Sequence, residues 1–169
     1  MAEAMYWKEI TVHWGESDPF GLVYYPRIVA WFNETEHEFF RTIGFPIDVM
    51  IRQDRTTFVM GEIRFRFIGP AAYGDRIATS MALTKIGERT LHWACKARNA
   101  VTGAPVTEGT ATRVYARIND DGTLNSAVIP EKMRRALLDA GRLSHLDQDI
   151  EKDPEYRHAE ESRKDKGRG

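Results

Sequence analysis

The chain has 169 residues, 42% of them hydrophobic, and a formal charge of −1. That length suits one domain with a sizeable core, and the near-neutral charge supplies no bulk attraction to nucleic acid or to an acidic membrane surface. A single cysteine, Cys95, excludes an internal disulfide framework and any zinc site built on several cysteines, so the expected location is a reducing, cytoplasmic compartment.

The opening residues Met1-Ala-Glu-Ala-Met-Tyr-Trp-Lys8 lack the basic-then-apolar order of a signal peptide, and no apolar run approaches membrane-spanning length. Tyr6 to Trp14 mixes aromatic and β-branched residues with charges and predicts a first strand. The next stretch, Trp14-Gly-Glu-Ser-Asp18-Pro19-Phe-Gly21-Leu-Val-Tyr-Tyr25-Pro26, predicts a loop leading into a helix. Asp18-Pro19 and Gly21 are turn formers, and Pro26 suits a first helical position because its missing N–H would be unpaired there anyway. Tyr24 and Tyr25 have no short side-chain oxygen to fold back on the helix start, so the first-turn N–H groups are expected to stay free. A carboxylate beside such a start combines a base or nucleophile with a place for developing negative charge.

From Pro26 to about Thr42, Ile28, Phe32, Phe39 and Ile43 recur at helical spacing with Thr35 between them, and Val29 and Trp31 widen the stripe. Gly44 and Pro46 stop the helix. Strand-like runs follow at about 57–68, 76–86, 90–101 and 106–118, separated by Gly69-Pro70, Gly74-Asp75, Gly87 and Thr102-Gly103-Ala-Pro105. One strand, one long helix and four successive strands describe an α+β fold in which an antiparallel sheet wraps around a helix. After Ile129-Pro130 a short amphipathic helix is expected from Glu131 to about Ala140. Beyond Gly141 the sequence is dense in charges of both signs. The division is therefore a domain over residues 1–141 and a charged tail, mobile or loosely helical, over 142–169.

The segment Asp18-Pro-Phe-Gly21-Leu-Val-Tyr-Tyr25-Pro26 resembles the active-site signature of the 4-hydroxybenzoyl-CoA thioesterase family. Ala71-Ala-Tyr73-Gly-Asp75 is similar to the family's turn into the long strands. The resemblance covers roughly residues 8 to 118. It implies a hot-dog fold and hydrolysis of an acyl-CoA thioester, with an aromatic, hydroxybenzoyl-like acyl group. It implies no cofactor beyond the CoA of the substrate, and assembly as a homodimer or homotetramer. In this reading Asp18 attacks the thioester carbonyl or activates a water that does, and the backbone N–H at Tyr25 polarises the carbonyl oxygen. Without the resemblance, Asp before Pro is an ordinary turn starter whose carboxylate caps local N–H groups.

By the same resemblance Asn33 faces the acyl pocket, where its amide would meet a polar substituent; a surface amide is the other reading. Arg89 and Thr90 open a strand directly after the Gly87 turn, where a guanidinium and a hydroxyl suit the phosphates of CoA. Arg64 and Arg66 alternate with Ile63, Phe65 and Phe67, so they are expected on the opposite face of the sheet. Glu34-x-x-His37 is half of a carboxylate-bridged metal motif without its second half, so His37 reads as a solvated or interface histidine. Cys95 reads as strand packing. A hydratase or dehydratase on the same fold would need His13 or His37 to approach Asp18. A non-catalytic acyl-CoA-binding module is the other alternative.

Overall fold

The computed structural model describes the backbone of residues 6–152 and the side chains of residues 6–141. A first strand, β1 (Tyr6–Thr11), leads through a 3-10 turn at Trp14–Glu16 and a loop into α1 (Tyr25–Thr42). A short helix α2 (Ile47–Val49) continues into a wide turn, Met50–Asp54, that ends at Arg55 in the left-handed conformation (φ 54°). There follow β2 (Thr56–Phe67), β3 (Arg76–Ile86), β4 (Thr90–Asn99), β5 (Pro105–Ile118), the short β6 (Leu124–Ser126) and α3 (Glu131–Lys152).

The strands form one antiparallel sheet in the order β1-β3-β4-β5-β2, with β6 added to β5. The expected sheet around a helix is therefore present, with strand ends within three residues of those read from the sequence. Helix α3 runs past its expected end near Ala140. A glycine inside a helix costs only about 1 kcal/mol relative to alanine, so Gly141 alone does not stop it. Residues 153–169, the greater part of the expected tail, lie outside the described residues.

Strand alternation turns Ile77, Thr79 and Met81, then Leu91, Trp93 and Cys95, then Ala111, Arg113 and Tyr115 toward α1. The helix answers with a buried stripe of Ile28, Trp31, Phe32, Thr35, Glu36, Phe39 and Phe40. Aromatic rings carry much of this interface: Phe39 meets Trp93 edge-on (centroids 5.5 Å apart), Phe40 stacks on Phe58 (5.0 Å), and Phe32 stacks on Phe65 (5.0 Å). Each such side chain contributes roughly 1.5–3 kcal/mol by leaving water. Thr35 and Thr79, both buried, share a hydrogen bond of 2.8 Å that joins helix to sheet.

Arg64 and Arg66 are exposed, as the alternation requires, and pair with Glu62 and Glu108. Phe65 points inward over Gly109, its partner on β5. A Cβ at Gly109 would lie 2.1 Å from the Arg64 carbonyl oxygen and 2.5 Å from the Phe65 ring. The glycine thus makes room for the ring that packs on Phe32. Gly109→Ala should cost at least about 1–3 kcal/mol, the usual range for overpacking. Urea denaturation measures it, and wild-type stability in the variant would contradict this account of the β2–β5 pairing.

Candidate active site

The loop between β1 and α1 is held on several sides. Ser17 bridges Val23 across it and Leu22 bridges Ala72, while the Val23 N–H donates to the Ala71 carbonyl at 2.8 Å. The Ala71–Asp75 turn is the loop's support as well as the entry to β3: Asp75 Oδ2 accepts the Ala72 N–H, and the Asp75 carbonyl accepts the Val12 N–H. Glu16 fastens the loop to the helix. Its Oε2 accepts the His13 N–H at 2.7 Å, its Oε1 accepts Trp31 Nε1 at 3.0 Å, and its carbonyl accepts the Tyr24 N–H at 2.8 Å. The sequence reading passed over Glu16, although a Glu three residues after the turn start is a capping-box signal.

Asp18 stands in the middle of this loop. Its Oδ1 accepts the N–H groups of Phe20 (2.8 Å) and Leu22 (3.2 Å), so the local capping role of an Asp-Pro turn is real. Among the described residues its Oδ2 has no donor. Helix α1 begins at Tyr25, with Tyr24 as an extended N-cap that makes no side-chain cap and proline in the first turn. The Tyr24 N–H is used by Glu16 and the Arg27 N–H by the Tyr24 carbonyl. The Tyr25 N–H has no acceptor among the described residues. A partly free carboxylate and a free helix-start donor therefore belong to one rigid loop of eight residues, Asp18 to Tyr25.

Around them lies an aromatic surface. Phe20 is 89% exposed, Trp14 75%, and Tyr25 and Tyr73 60% each, far more than folding of one chain would leave uncovered. Trp14 packs edge-on against Tyr73, and Tyr25 against Phe67.

Asn33 lies on the side of α1 that faces β2. Its Oδ1 accepts Arg113 Nη2 at 2.8 Å, and Arg113 Nε donates to Glu36 Oε2 at 2.7 Å. The Glu36–Arg113 ion pair is closed further by Nη2 and is sealed from water, with Glu36 2% and Arg113 7% exposed. Burial pushes the Glu36 carboxyl above its ordinary range, against the pull of Arg113. The sequence reading missed this pair, yet both halves leave a signal: Glu36 falls within the apolar stripe of α1, and Arg113 falls between Ala111 and Tyr115 on the inward face of β5.

Arg89 and Thr90 are placed elsewhere. Arg89 Nη1 donates to the carbonyl and hydroxyl of Ser126 on β6, both at 3.2 Å, and Thr90 Oγ1 contacts His92 Nε2 at 3.2 Å. They sit at the Ile86↔Leu91 end of the β3–β4 ladder, whereas the Asp18 loop rests on the Ile77↔Asn99 end. Nine residues of strand, about 30 Å, separate the two within one chain.

His37 lies 12 residues beyond Tyr25 on α1, about 18 Å along the axis, and its pKa is held low by desolvation and by Arg113 and Arg41. His13 leads the 3-10 turn. Neither hydrogen-bonds Asp18, so the carboxylate–histidine pair of a hydratase is not assembled. Among the described residues no group of three His, Cys, Asp or Glu is arranged to hold a metal, and no helix is long and apolar enough to cross a membrane.

The family model for the thioesterase-like superfamily matches residues 12–137. Several solved structures are similar to this one. A 1,4-dihydroxy-2-naphthoyl-CoA thioesterase from Synechocystis has a TM-score of 0.72 at 16% identity, over 79% of this chain and 96% of that one. The 4-hydroxybenzoyl-CoA thioesterase from Pseudomonas sp. strain CBS-3 has a TM-score of 0.70 at 16% identity, over 77% and 96%. A gentisyl-coenzyme A thioesterase has a TM-score of 0.68 at 22% identity, over 77% and 98%. At these identities the likeness establishes the fold, which is the hot-dog fold. None of the curated proteins compared matches the sequence.

Cys95 is buried on β4, and burial together with the nearby Glu36 charge raises its thiol pKa to about 12. It should resist alkylation by iodoacetamide at neutral pH in the native protein and react once the chain is unfolded in denaturant. Rapid labelling of the native form would contradict the packing described.

Proposed function

The chain belongs to the thioesterase-like superfamily, and from that premise we propose that it is an acyl-CoA thioesterase acting on an aromatic acyl group, with Asp18 as the catalytic carboxylate. The observation that carries this reading is the half-used carboxylate of Asp18 on the loop that ends at the unpaired Tyr25 N–H. The thioester carbonyl oxygen accepts the Tyr25 N–H, whose donor is fixed before substrate arrives and so needs little reorganisation as negative charge develops. Asp18 Oδ2 then either attacks the carbonyl carbon or takes a proton from a water that attacks it. In the first route the C–S bond breaks to release CoA and leaves an acyl anhydride on Asp18 for water to hydrolyse. In the second, acid and CoA form in one addition–elimination. The two anchoring N–H groups on Oδ1 leave Oδ2 as the reacting atom in both. The aromatic preference draws support from the similar solved structures, which act on naphthoyl, hydroxybenzoyl and gentisyl thioesters.

Assembly belongs to the same reading. Among the described residues strand β2 pairs only with β5, leaving the outer edge of a 12-residue strand open. The aromatic surface around the loop is also uncovered, and both features favour association with further copies. Arg89 and Thr90, far from Asp18 in their own chain, would meet the phosphates of a CoA bound to a neighbouring subunit. The single buried cysteine suits a reducing, cytoplasmic setting.

Asn at position 18 keeps an oxygen for the Phe20 and Leu22 N–H groups while losing the charge, so it separates the capping role from the chemistry. Thiol release from benzoyl-, hydroxybenzoyl-, phenylacetyl- and straight-chain acyl-CoA should fall at least about 10²-fold in Asp18→Asn with the fold intact. Near-normal turnover would remove Asp18 from the mechanism. Light scattering should give a dimer or tetramer mass, and a monomer mass independent of concentration would contradict the assembly.

A further inference from the structure

The sheet has two edges, and β1 is the one opposite β2. Among the described residues β1 pairs with β3 alone, over an unbroken register from Tyr6↔Met81 to Thr11↔Arg76. The Val12 N–H, next in line, donates to the Asp75 carbonyl. Backbone direction alternates along a strand, so Lys8 and Ile10 turn theirs to β3, while Trp7, Glu9 and Thr11 turn N–H and C=O to the open side. The strand has no proline and no bulge, two of the devices that commonly close such an edge.

Beside this edge a groove of about 510 Å³ runs between β1 and α1, within the range of ligand pockets, about 300–1,000 Å³. Ile10, Thr11 and His13 line it from the strand side, and Arg27, Ala30 and Glu34 from one side of the helix. Its charges are unevenly answered. Lys8 is held by Glu38 at 2.5 Å and stands 3.8 Å from Glu34, so Glu34, its side chain 58% exposed, keeps acceptor capacity. Arg27 donates its backbone N–H to the Tyr24 carbonyl, but among the described residues its guanidinium has no hydrogen bond or ion pair. Glu16, also on the groove, has both carboxylate oxygens taken, by the His13 N–H and by Trp31 Nε1. The helix thus offers a free cation and, seven residues on and about 10 Å along the axis, a largely free anion.

Lys8 meets Glu34 and Glu38, while Glu16, just after the strand, meets Tyr24 at the helix start, so β1 and α1 run in opposite directions along the groove. A strand added antiparallel to β1 therefore runs from the Arg27 end to the Glu34 end and turns every second side chain into the groove. We propose that this edge and groove together are a docking site for an extended segment of a partner protein. The segment places an acidic residue opposite Ile10 and facing Arg27, a small neutral residue opposite Lys8, and a basic residue opposite Tyr6 and facing Glu34. The outer two positions are four residues apart, about 13 Å, and long side chains close the difference from the helix spacing. The two ion pairs set direction and register, and main-chain hydrogen bonds to Trp7, Glu9 and Thr11 supply the attachment. A second copy of β1 in the same place brings Tyr6, Lys8 and Ile10 inward, with no acid for Arg27, so the occupant is a different segment. The inference goes beyond the thioesterase reading and does not rest on it.

The test titrates the full chain with the capped peptide Thr-Glu-Thr-Val-Thr-Lys-Thr, with its charge-reversed form in which Glu and Lys change places, and with a form carrying Gln for Glu. Amide NMR follows the binding. The first peptide should bind at least about 5-fold more tightly than the charge-reversed one, since two charge pairs become two repulsions. Hydrogen exchange at the Trp7, Glu9 and Thr11 amides should slow when it binds. N-methylation of the Thr after Glu, whose N–H points at β1, should abolish binding, while N-methylation of Val, whose N–H points away, should leave it within about 3-fold. In Arg27→Gln, which removes an exposed guanidinium that holds nothing else, the Glu and Gln peptides should bind within about 2-fold of each other. Equal affinities of the three peptides for the wild type, equal loss from both N-methylations, or no binding up to millimolar peptide overturn the proposal. So does binding that shifts groove amides while the three edge amides exchange as before, the outcome for a small-molecule site rather than an added strand. Hydrolysis enters none of these readouts, so their failure leaves the thioesterase reading standing.

Discussion

Enclosure of α1 by the sheet is the constraint on which the rest of this structure depends. Seven residues of one helix are buried at once, and each must meet something on β2, β3, β4 or β5. Where the stripe is apolar the answer is aromatic packing. Where it carries Thr35, the answer is Thr79. Where it carries Glu36, the inward face of β5 must supply a cation, and Arg113 is that cation. Replacing such a buried pair with well-packed apolar residues is often neutral or stabilising, so helix–sheet adhesion alone gives no reason for its presence.

The same enclosure fixes the start of the helix. Because α1 is locked by its length, its first turn needs no side-chain cap to stay folded, and the Tyr25 N–H remains available. Glu16 and the Ala71–Asp75 turn then hold the preceding loop from two directions, one through Trp31 on the helix and the other through the entry to β3. Asp18 is thereby kept in a loop with little freedom. A carboxylate is a weak base, so such positioning matters more than any change in its basicity. The loop thus serves both as the fold's connection between β1 and α1 and as the holder of the reacting groups.

Much of this was legible in the sequence because it is local. Turn residues marked the strand ends, the 3.6-residue period marked α1, and Tyr24-Tyr25-Pro26 announced a helix start without a cap. The features that escaped are those needing two distant segments at once. Glu36 and Arg113 are 77 residues apart, and each alone looks like an imperfection in an apolar pattern. Only the register of β5 against β2 and β4 puts Arg113 opposite the helix. The distance between Asp18 and Arg89 escaped for the same reason, since a motif gives residue types but not which end of a ladder they occupy. The three-residue β6 carries too short a pattern to be read, and Gly141 was given more weight as a helix stop than its cost warrants.

The central claim is that a thioester sits with its carbonyl at the start of α1, beside Asp18. A crystal structure of the Asp18→Asn protein with 4-hydroxybenzoyl-CoA tests it most directly. The account predicts the carbonyl oxygen about 3 Å from the Tyr25 nitrogen and the side chain of residue 18 beside the carbonyl carbon. A thioester bound away from the helix start, with the Tyr25 N–H still unoccupied, would contradict it.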